Sequence, residues 1–360
     1  MSNWQFEWIT SWDEVWSDPH LERWQNLLDQ ANEPNVFVTQ PLVRAWCLAA
    51  QQVQNVSPCF MWARTVSGLS VFMPLVIVQS GFRNAWLRVM QPVGLGEYDY
   101  HDPLFGVNNE VERSSFWQVF DIEISVRWGK KYDRAIFGGL RAQSFSNAVE
   151  LADRAPYFVI ERFLNEADFL SSRGQNLRGD IRRRLRRLED LGVVSFRVFS
   201  PEETEAALNV LPELLSQHAA RWPNSYRLPG FHASLIREAL PVGFLHLSEV
   251  CVGDIIISRH LGFFYKRRFY WYMPVNNPKY DNYSPGKLLL YFCAVDAIKK
   301  GGALFDLLRG EETYKSQWAD GVEDLYVIKQ RGTGIFSKIQ LALVDTIKPI
   351  LFRIFWIRKS

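Results

Sequence analysis

Helical and strand-like hydrophobic patterns alternate along the chain. In the first half, apolar residues recur at helical spacing and are followed by runs typical of strands. The predicted elements here are helices over residues 21–28, 41–48 and 114–128 and strands over residues 59–66, 69–79, 86–90 and 134–137. This order predicts a mixed α/β layer domain that ends near Ala155.

The second half repeats the order. Its predicted elements are helices over residues 177–191, 201–221 and 284–301 and strands over residues 193–199, 244–250, 255–264, 268–273 and 303–308. The helix at 201–221 is predicted to start after a Ser200 cap, with Pro201 in its first turn. We therefore expect an α/β (α+β) fold of two tandem units, with mixed central sheets flanked by helices, although no residue-level repeat is visible.

The clearest helix start is at Ser284. Ser284 is a suitable N-cap, Pro285 fits the first helical position and Gly286 permits close approach of a ligand to the backbone. Such a helix start presents unpaired N–H groups to an anion, and Lys287 adds a positive charge. An ordinary capped helix has the same sequence features, so both interpretations stand for the tetrapeptide alone.

Composition limits the classes of function. A length of 360 residues predicts about two domains. The net charge of +2 argues against a strong global attraction to nucleic acid, so nucleic acid is an unlikely partner. The 14 Trp residues suit wide clefts or surfaces that meet sugars or lipids, although each single Trp is also explained by packing.

Cysteine usage and hydropathy indicate the compartment. The four cysteines are far apart and form no CxxC pair, which argues against a disulfide framework and against a zinc site, so no metal is expected. The N-terminus shows no signal-peptide pattern, and no apolar run reaches the roughly 18–20 residues of a membrane span. We expect a cytoplasmic protein, with peripheral attachment at the inner face of the membrane as an option.

Residues 269–318 resemble the core of the GNAT acyltransferases. More specifically, they resemble the CelD-like (cellulose-biosynthesis-associated) acetyltransferases, which are related to the Fem-type peptidoglycan aminoacyltransferases. The motifs that carry the resemblance are Tyr283-Ser284-Pro285-Gly286, the run from Gly302 through Asp306, Arg309 and Gly310 to Lys315, and Trp318. Residues 177–192 and 218–222 fit the same pattern, and the first half fits it more loosely.

The resemblance implies tandem GNAT-like domains over residues 1–165 and 166–334, followed by a tail over residues 335–360. It implies acetyl-CoA or another acyl-CoA as co-substrate, held by Ser284, Gly286, Lys287 and Leu288. Where GNAT enzymes carry two small residues at this helix start, the present chain has Lys287 and Leu288 after Gly286. This departure weakens the case for coenzyme A in particular and leaves another activated acyl donor open.

The resemblance also suggests site residues. Tyr314 stands where GNAT enzymes often place the acid that protonates the leaving thiolate, and candidates for the base are Asp306, Glu311 and Glu312. Candidate substrate contacts are Arg309, Lys315, Trp318, His218 and Trp222. Structural roles are open for each: Asp306 as a partner of Arg309, Lys315 and Tyr314 as packing residues, and His218 as a core histidine.

Two further segments carry local charge or hydrophobicity. Arginines at 178, 182, 183, 184, 186 and 187 surround one predicted helix, which suits an anionic ligand, an anionic membrane or tRNA, or else a solvated face. The tail over residues 335–360 mixes apolar and basic residues, which fits either a helix in a membrane interface or a terminal helix packed on the body.

The leading interpretation is an N- or O-acyltransferase that acts on a cell-envelope or exopolysaccharide precursor. The acceptor would be a small molecule or a lipid-linked saccharide. The alternatives are a Fem-like transferase that uses aminoacyl-tRNA and a non-catalytic, membrane-associated scaffold of a polysaccharide synthesis complex.

Overall fold

The computed structural model describes residues 4–347 except 67, 80, 82–85, 107–109, 142–148, 224 and 226–227. The chain forms two compact units. The first unit comprises Met1–Ala152 together with Leu325–Ser360, and the second comprises Asp153–Asp324.

The first unit contains helices and short strands in alternation. Its helices are α1 (Trp12–Val15), α2 (Asp18–Gln30), α3 (Gln40–Val53) and α4 (Glu110–Glu123), and its first strands are β1 (Gln5–Ile9), β2 (Asn55–Pro58), β3 (Phe60–Arg64), β4 (Ser70–Met73), β5 (Leu75–Gln79), β6 (Arg88–Pro92), β7 (Leu104–Phe105) and β8 (Arg134–Arg141). Strand β9 (Glu150–Val159) leads into the second unit.

Two sheets form the first unit. One has the order β1-β3-β4-β7, and the other contains β8-β6-β5-β2. The sequence predicts one strand over residues 69–79, but Pro74 separates β4 from β5 and the two strands pair in different sheets. Proline cannot donate a ladder hydrogen bond, which is why the break falls at this residue.

The second unit is built on one mixed sheet. Its helices are α5 (Glu166–Ser172), α6 (Gln175–Glu189), α7 (Thr204–Arg221), α8 (Phe231–Ala239), α9 (Pro285–Lys299) and α10 (Thr313–Ser316), and its strands are β10 (Val194–Val198), β11 (Leu245–Val252), β12 (Ile255–Tyr265), β13 (Arg268–Asn276) and β14 (Leu304–Asp306). Strand β15 (Gly321–Arg331) returns to the first unit, where α11 (Ile335–Ala342) follows.

Helices cover both faces of this sheet, whose order is β10-β11-β12-β13-β14-β9. Only the β13–β14 pair is parallel, because the crossover helix α9 connects these strands. The hydrophobic core that includes α5, α6 and α9 takes Phe269 and Phe305 from the sheet. Alternation along a strand places Tyr270 and Asp306 on the opposite face, where α7 and α8 pack.

Several boundaries differ from those expected. Residues 201–203 form a turn, and α7 begins at Thr204, where Glu203 rather than Ser200 is the N-cap residue. Helices α5 and α8 were not among the predicted elements. The expected domain limits at 165 and 334 also differ from the observed division, since β15 pairs with β8 of the first unit. None of the helices within the described residues combines the length and the hydrophobicity that a membrane span requires.

Candidate active site

Strands β13 and β14 separate at the middle of the sheet. Their parallel pairing covers Arg268↔Leu304, Phe269↔Phe305 and Tyr270↔Asp306, and then β14 ends while β13 continues to Asn276. Beyond Tyr270, β13 has no ladder partner in β14, and we call this divergence of the two strands the opening. Openings of this kind at the carboxyl ends of parallel strands are common ligand sites in α/β proteins.

A β-bulge lies at the start of the opening. Phe263 pairs with Tyr270 and Leu261 pairs with Met273, so Trp271 and Tyr272 both stand opposite Gly262. A Cβ atom at Gly262 would meet the His260 ring at 2.1 Å and the Tyr270 carbonyl oxygen at 2.3 Å. Glycine is thus required here, and the bulge redirects the β13 backbone beside the opening.

Trp271 connects this bulge to Tyr314. The Trp271 Nε1–H donates a hydrogen bond to the Tyr314 hydroxyl (3.2 Å), and the indole stacks on His260 with ring centroids 4.3 Å apart. Burial, together with the nearby negative charge of Glu312, raises the pKa of Tyr314 to about 12. The phenol is therefore protonated at neutral pH and can serve as a proton donor.

The turn after β14 is held by two charged side chains. Leu308 has a left-handed backbone (φ 58°), which costs a non-glycine residue about 1–2 kcal/mol. Asp306, fully buried, accepts a hydrogen bond from the Leu308 N–H (2.8 Å) and pairs with Arg268 (2.9 Å). The buried Lys315 ammonium donates to the carbonyl oxygens of Leu308 (3.3 Å) and Arg309 (2.7 Å). Asp306 and Lys315 thus fix the backbone that leads to Tyr314.

The start of α9 departs from a simple capped helix. Ser284 also has a left-handed backbone (φ 50°), and its side chain makes no capping hydrogen bond. Pro285 has no N–H, and the Lys287 N–H donates to the Ser284 carbonyl oxygen (3.0 Å). The Lys287 ammonium pairs with Asp180 of α6 (2.7 Å). Few donors are thus directed to a ligand here, although Ser284, Gly286 and Lys287 are all partly exposed.

Helix α6 presents arginines beside this helix start. Arg182, Arg183, Arg186 and Arg187 are exposed, and the Arg187 guanidinium lies over the Tyr283 ring (5.0 Å). Asp180 pairs with Arg183, Arg184 and Lys287. Partial burial opposes ionisation of the Asp180 carboxyl group, but hydrogen bonds and charges from Arg184 and Lys287 lower its pKa to about 2. The α6 surface is therefore positively charged near the α9 N-terminus.

The structure places the other predicted site residues in different environments. Glu311 and Glu312 are exposed and pair with Arg154 (3.3 Å) and Lys315 (2.9 Å). Leu288 and Trp318 are buried in the core, so neither is exposed to a ligand. Arg309 is exposed and lies 3.6 Å from Asp153.

His218 and Trp222 lie together at the end of α7. Their rings stack with centroids 4.9 Å apart, and burial lowers the pKa of His218 to about 4. Helices α7 and α8 pack on the sheet face opposite α9, the face on which Asp306 also lies. Tyr314 and the α9 start pack with the other core, so the predicted residues are divided between the two faces.

Sequence reasoning did not single out several residues of the opening. These are Trp271, Tyr272, His260 and Asn276. The Asn276 side chain lies about 3.0 Å from where a Gly286 Cβ would stand. A core histidine two residues before a glycine within a strand is a weak signal of a bulge. A second set of residues, His246, His260 and Cys293, also converges in the core although their sequence spacing suggests no site.

Residues 175–316 match the family described as the acetyltransferase (GNAT) domain. The chain contains a GNAT acetyltransferase domain. It is thus an acyltransferase of the GNAT type, and this match favours an enzyme over the scaffold alternative. The matches do not single out the CelD-like family, and none of the curated proteins matches the chain.

Solved structures share the fold at low sequence identity. FemX has a TM-score of 0.62 at 9% identity, with 91% of this chain and 98% of FemX covered. The C-terminal domain of a putative lysylphosphatidylglycerol synthetase from Agrobacterium fabrum has a TM-score of 0.53 at 13% identity, with coverage of 91% and 95%. A protein of unknown function from Bacteroides thetaiotaomicron has a TM-score of 0.52 at 11% identity, with coverage of 86% and 97%. The predicted mixed α/β fold of the GNAT acyltransferase is thereby confirmed.

Proposed function

We propose that this GNAT acyltransferase transfers an acyl group from acetyl-CoA or another acyl-CoA to an amine or hydroxyl of a cell-envelope or exopolysaccharide precursor. One observation carries the proposal: β13 and β14 separate directly before a bulge, and the protonated Tyr314 hydroxyl lies at that point. A thioester placed in the opening would have its reacting group beside this hydroxyl.

Catalysis in this arrangement is mainly alignment of donor and acceptor, which makes the reaction effectively unimolecular. The acceptor nitrogen or oxygen attacks the thioester carbonyl, the acyl–sulfur bond breaks, and the Tyr314 hydroxyl gives its proton to the leaving thiolate. Glu312, whose charge contributes to the raised pKa of Tyr314, accepts the acceptor's proton. Asp306 and Lys315 act indirectly in this proposal, because they hold the turn that precedes Tyr314.

The donor's phosphates would lie between the α9 start and α6. Ser284, Gly286 and Lys287 supply a partly exposed helix N-terminus, and the exposed arginines of α6 supply positive charge. The Lys287–Asp180 pair partly neutralises this site (2.7 Å). We therefore expect α6 to contribute more of the phosphate affinity than the short loop before α9.

The acceptor class is supported by the two named neighbours. FemX and the putative lysylphosphatidylglycerol synthetase domain share the fold over nearly the whole chain, and the second name refers to a phospholipid product. Sequence identities of 9–13% show only that the fold is shared. We therefore propose a class of acceptor precursor and not a particular molecule.

Calorimetric titration of acetyl-CoA tests the donor. The unmodified chain should bind with a one-to-one stoichiometry, and Gly286→Trp should abolish binding because a Cβ there already meets the Asn276 side chain at 3.0 Å. The control is Gly81→Trp, where a Cβ meets nothing within 4 Å. Thermal unfolding of both variants checks folding. Absence of specific heat in the unmodified chain would refute the acyl-CoA donor.

An aminoacyl-tRNA donor is the second candidate. It is favoured by the similarity to FemX over both units and by the exposed arginines of α6. Binding of charged tRNA that weakens steeply with salt and is lost in Arg182→Glu/Arg186→Glu would support it. The two donors are distinguished by measuring both titrations on the same preparation.

A further inference from the structure

Three side chains with metal-binding atoms meet inside the second unit. His246 lies on β11, His260 on β12 and Cys293 on α9, and one nitrogen of each imidazole and the Cys293 Sγ all lie within 4.8 Å of one another. All three side chains are buried. The cluster lies directly beneath Trp271, which stacks on the His260 ring.

The hydrogen bonds of the two imidazole rings show which ring nitrogens have no partner. The His246 Nε2–H donates to the Asp296 carboxylate (2.9 Å), and the His260 Nε2 accepts from the Tyr272 N–H (3.1 Å). The Nδ1 atoms of both rings are buried and have no hydrogen-bond partner among the described residues. A buried polar atom without a partner is destabilising, and packing alone does not explain why both atoms are kept.

We propose that His246, His260 and Cys293 bind one divalent transition metal of the zinc class. Two imidazoles and a thiolate are a ligand set that suits Zn²⁺ and does not suit Mg²⁺ or Ca²⁺, which prefer oxygen. Metal bonds of about 2.0–2.3 Å require the three ligand atoms to close by roughly 1 Å, which side-chain torsions can supply.

Asp296 strengthens the assignment. Metal-bound histidines commonly donate their other ring N–H to a carboxylate, which fixes the ring and its tautomer, and Asp296 accepts from His246 in this way. The Cys293 thiolate and the Asp296 carboxylate supply two negative charges beside the metal ion, and Asp296 also pairs with the half-exposed Lys300 ammonium (2.8 Å). A buried cation is tolerated where anionic groups pair with it.

Metal binding would alter the bulge above the cluster. The Cys293 thiol proton leaves to solvent, and the His260 ring proton moves from Nδ1 to Nε2. The Tyr272 N–H then loses its acceptor, because Nε2 has become a donor. Occupancy of the metal site is thus coupled to the backbone at the opening between β13 and β14.

Metal analysis of the purified full chain tests the proposal. We expect close to one zinc per chain after equilibration with Zn²⁺ and removal of excess. Substitution with Co²⁺ should give a thiolate-to-cobalt charge-transfer band. Cys293→Ser should lose both the zinc and the band, whereas Cys251→Ser, a cysteine outside the cluster, should keep both. Asp296→Asn should weaken zinc affinity by about 10- to 100-fold.

The measurements on the unmodified chain are decisive even where a variant fails to fold. Less than a tenth of an equivalent of zinc together with no cobalt band would overturn the proposal, as would full zinc retention in a folded Cys293→Ser variant. The readouts are independent of the acyl donor and of activity.

Discussion

Tyr314 carries the proposed proton transfer, and its surroundings make its hydroxyl less acidic. Its hydroxyl accepts from Trp271, and burial raises its pKa to about 12. The raised pKa keeps the hydroxyl protonated where a solvent-exposed tyrosine begins to ionise near pH 10. The residue can therefore give a proton over a wide pH range.

Tyr314→Phe should lower kcat by about 10²- to 10⁴-fold with little change in the KM for the donor, because only the proton transfer is removed. The measurement is release of free thiol from the acyl donor with the best acceptor found. Between pH 7 and 10 the rate of the unmodified enzyme should not fall through ionisation of the Tyr314 hydroxyl. Any loss of rate in this range should therefore also occur in Tyr314→Phe. Tyr326→Phe, in β15, is the matched control. An unchanged kcat in Tyr314→Phe would remove the residue from the mechanism.

His232 makes stability depend on pH. Burial, with a smaller contribution from His218, lowers the pKa of His232 to about 3, so the folded protein keeps this ring neutral. The unfolded chain, with an ordinary pKa near 6.5, binds more protons between pH 6.5 and 3. Protonation of His232 in the unfolded chain therefore lowers the free energy of unfolding as the pH falls below 6.5. Above pH 6.5 the ring is neutral in both states, and this loss is absent.

We expect the loss of unfolding free energy between pH 7 and pH 5, measured by urea denaturation, to be smaller in His232→Gln than in the unmodified chain. His20→Gln is a comparison in the first unit, where burial also lowers the histidine pKa. Equal losses in His232→Gln and the unmodified chain would contradict the neutral state of His232.

At the scale of elements, the turn between β14 and α10 determines where Tyr314 stands. Its left-handed residue, Leu308, donates its N–H to the Asp306 carboxylate and accepts a hydrogen bond at its carbonyl oxygen from Lys315. Both residues were predicted to meet substrate or to act as catalysts, and that assignment remains a prediction. Their contacts within the turn favour a positioning role.

Asp306→Ala should destabilise the protein by about 3–5 kcal/mol, because Arg268 then loses its buried partner and the Leu308 N–H loses its acceptor. Urea denaturation measures the change. Asp324→Ala removes a half-exposed partner of Arg154 and should cost about 1 kcal/mol or less. Equal costs in both variants would show that the Asp306 contacts do not hold the turn.

Helix α11 has two unlike faces. Ser337 and Leu341 are buried, and the Ser337 hydroxyl donates to Asp133 (2.6 Å). Ile335, Phe336, Ile339 and Leu343 are exposed. The helix therefore packs on the first unit while it presents an apolar face. The tail residues 348–360, which the sequence analysis included in this segment, lie outside the described residues.

If this face meets a membrane, Ile335→Ser/Phe336→Ser/Ile339→Ser should reduce co-sedimentation with anionic phosphatidylglycerol vesicles at least several-fold. Ile122→Ser/Val126→Ser, which removes two exposed apolar residues near the end of α4, should leave it unchanged. Equal sedimentation of both variants would show that α11 has no role at the membrane.

At the scale of the whole molecule, the last strand, β15, belongs to the same unit as the first strand, β1. Strand β15 pairs with β8 from Leu325↔Arg141 to Arg331↔Arg134, and Ile328 lies in the core of the first unit. The last strand therefore stabilises residues that precede it by almost 200 positions.

A chain that ends after Asp324 should unfold its first unit more easily than a chain that ends after Ile347. The loss of buried Leu325 and Ile328 alone is worth about 2–5 kcal/mol for each residue. Hydrogen exchange of the β8 amides measures the effect locally. Equal protection of β8 in the two chains would contradict a stabilising role for β15.

Local patterns in the sequence determined much of the fold. Helices α2, α3, α6 and α9 follow from apolar residues at helical spacing, and the β11–β12 hairpin follows from two strand-like runs about Gly253. The motif from Tyr283 to Lys315 identified the GNAT half, since it combines a helix start, a strand and the following turn in one order. These are properties of neighbouring residues, which a sequence displays directly.

Only the tertiary structure decided what the side chains do. Asp306 pairs with Arg268, Lys315 donates to carbonyl oxygens of the turn, and Lys287 pairs with Asp180. The hydrophobic periodicity of the sequence does not indicate such pairings. The convergence of His246, His260 and Cys293 and the return of β15 likewise depend on which strands and helices pack together. Hydrophobic burial fixes that packing through many weak contacts, and a polar residue's role follows from the position in which packing leaves it.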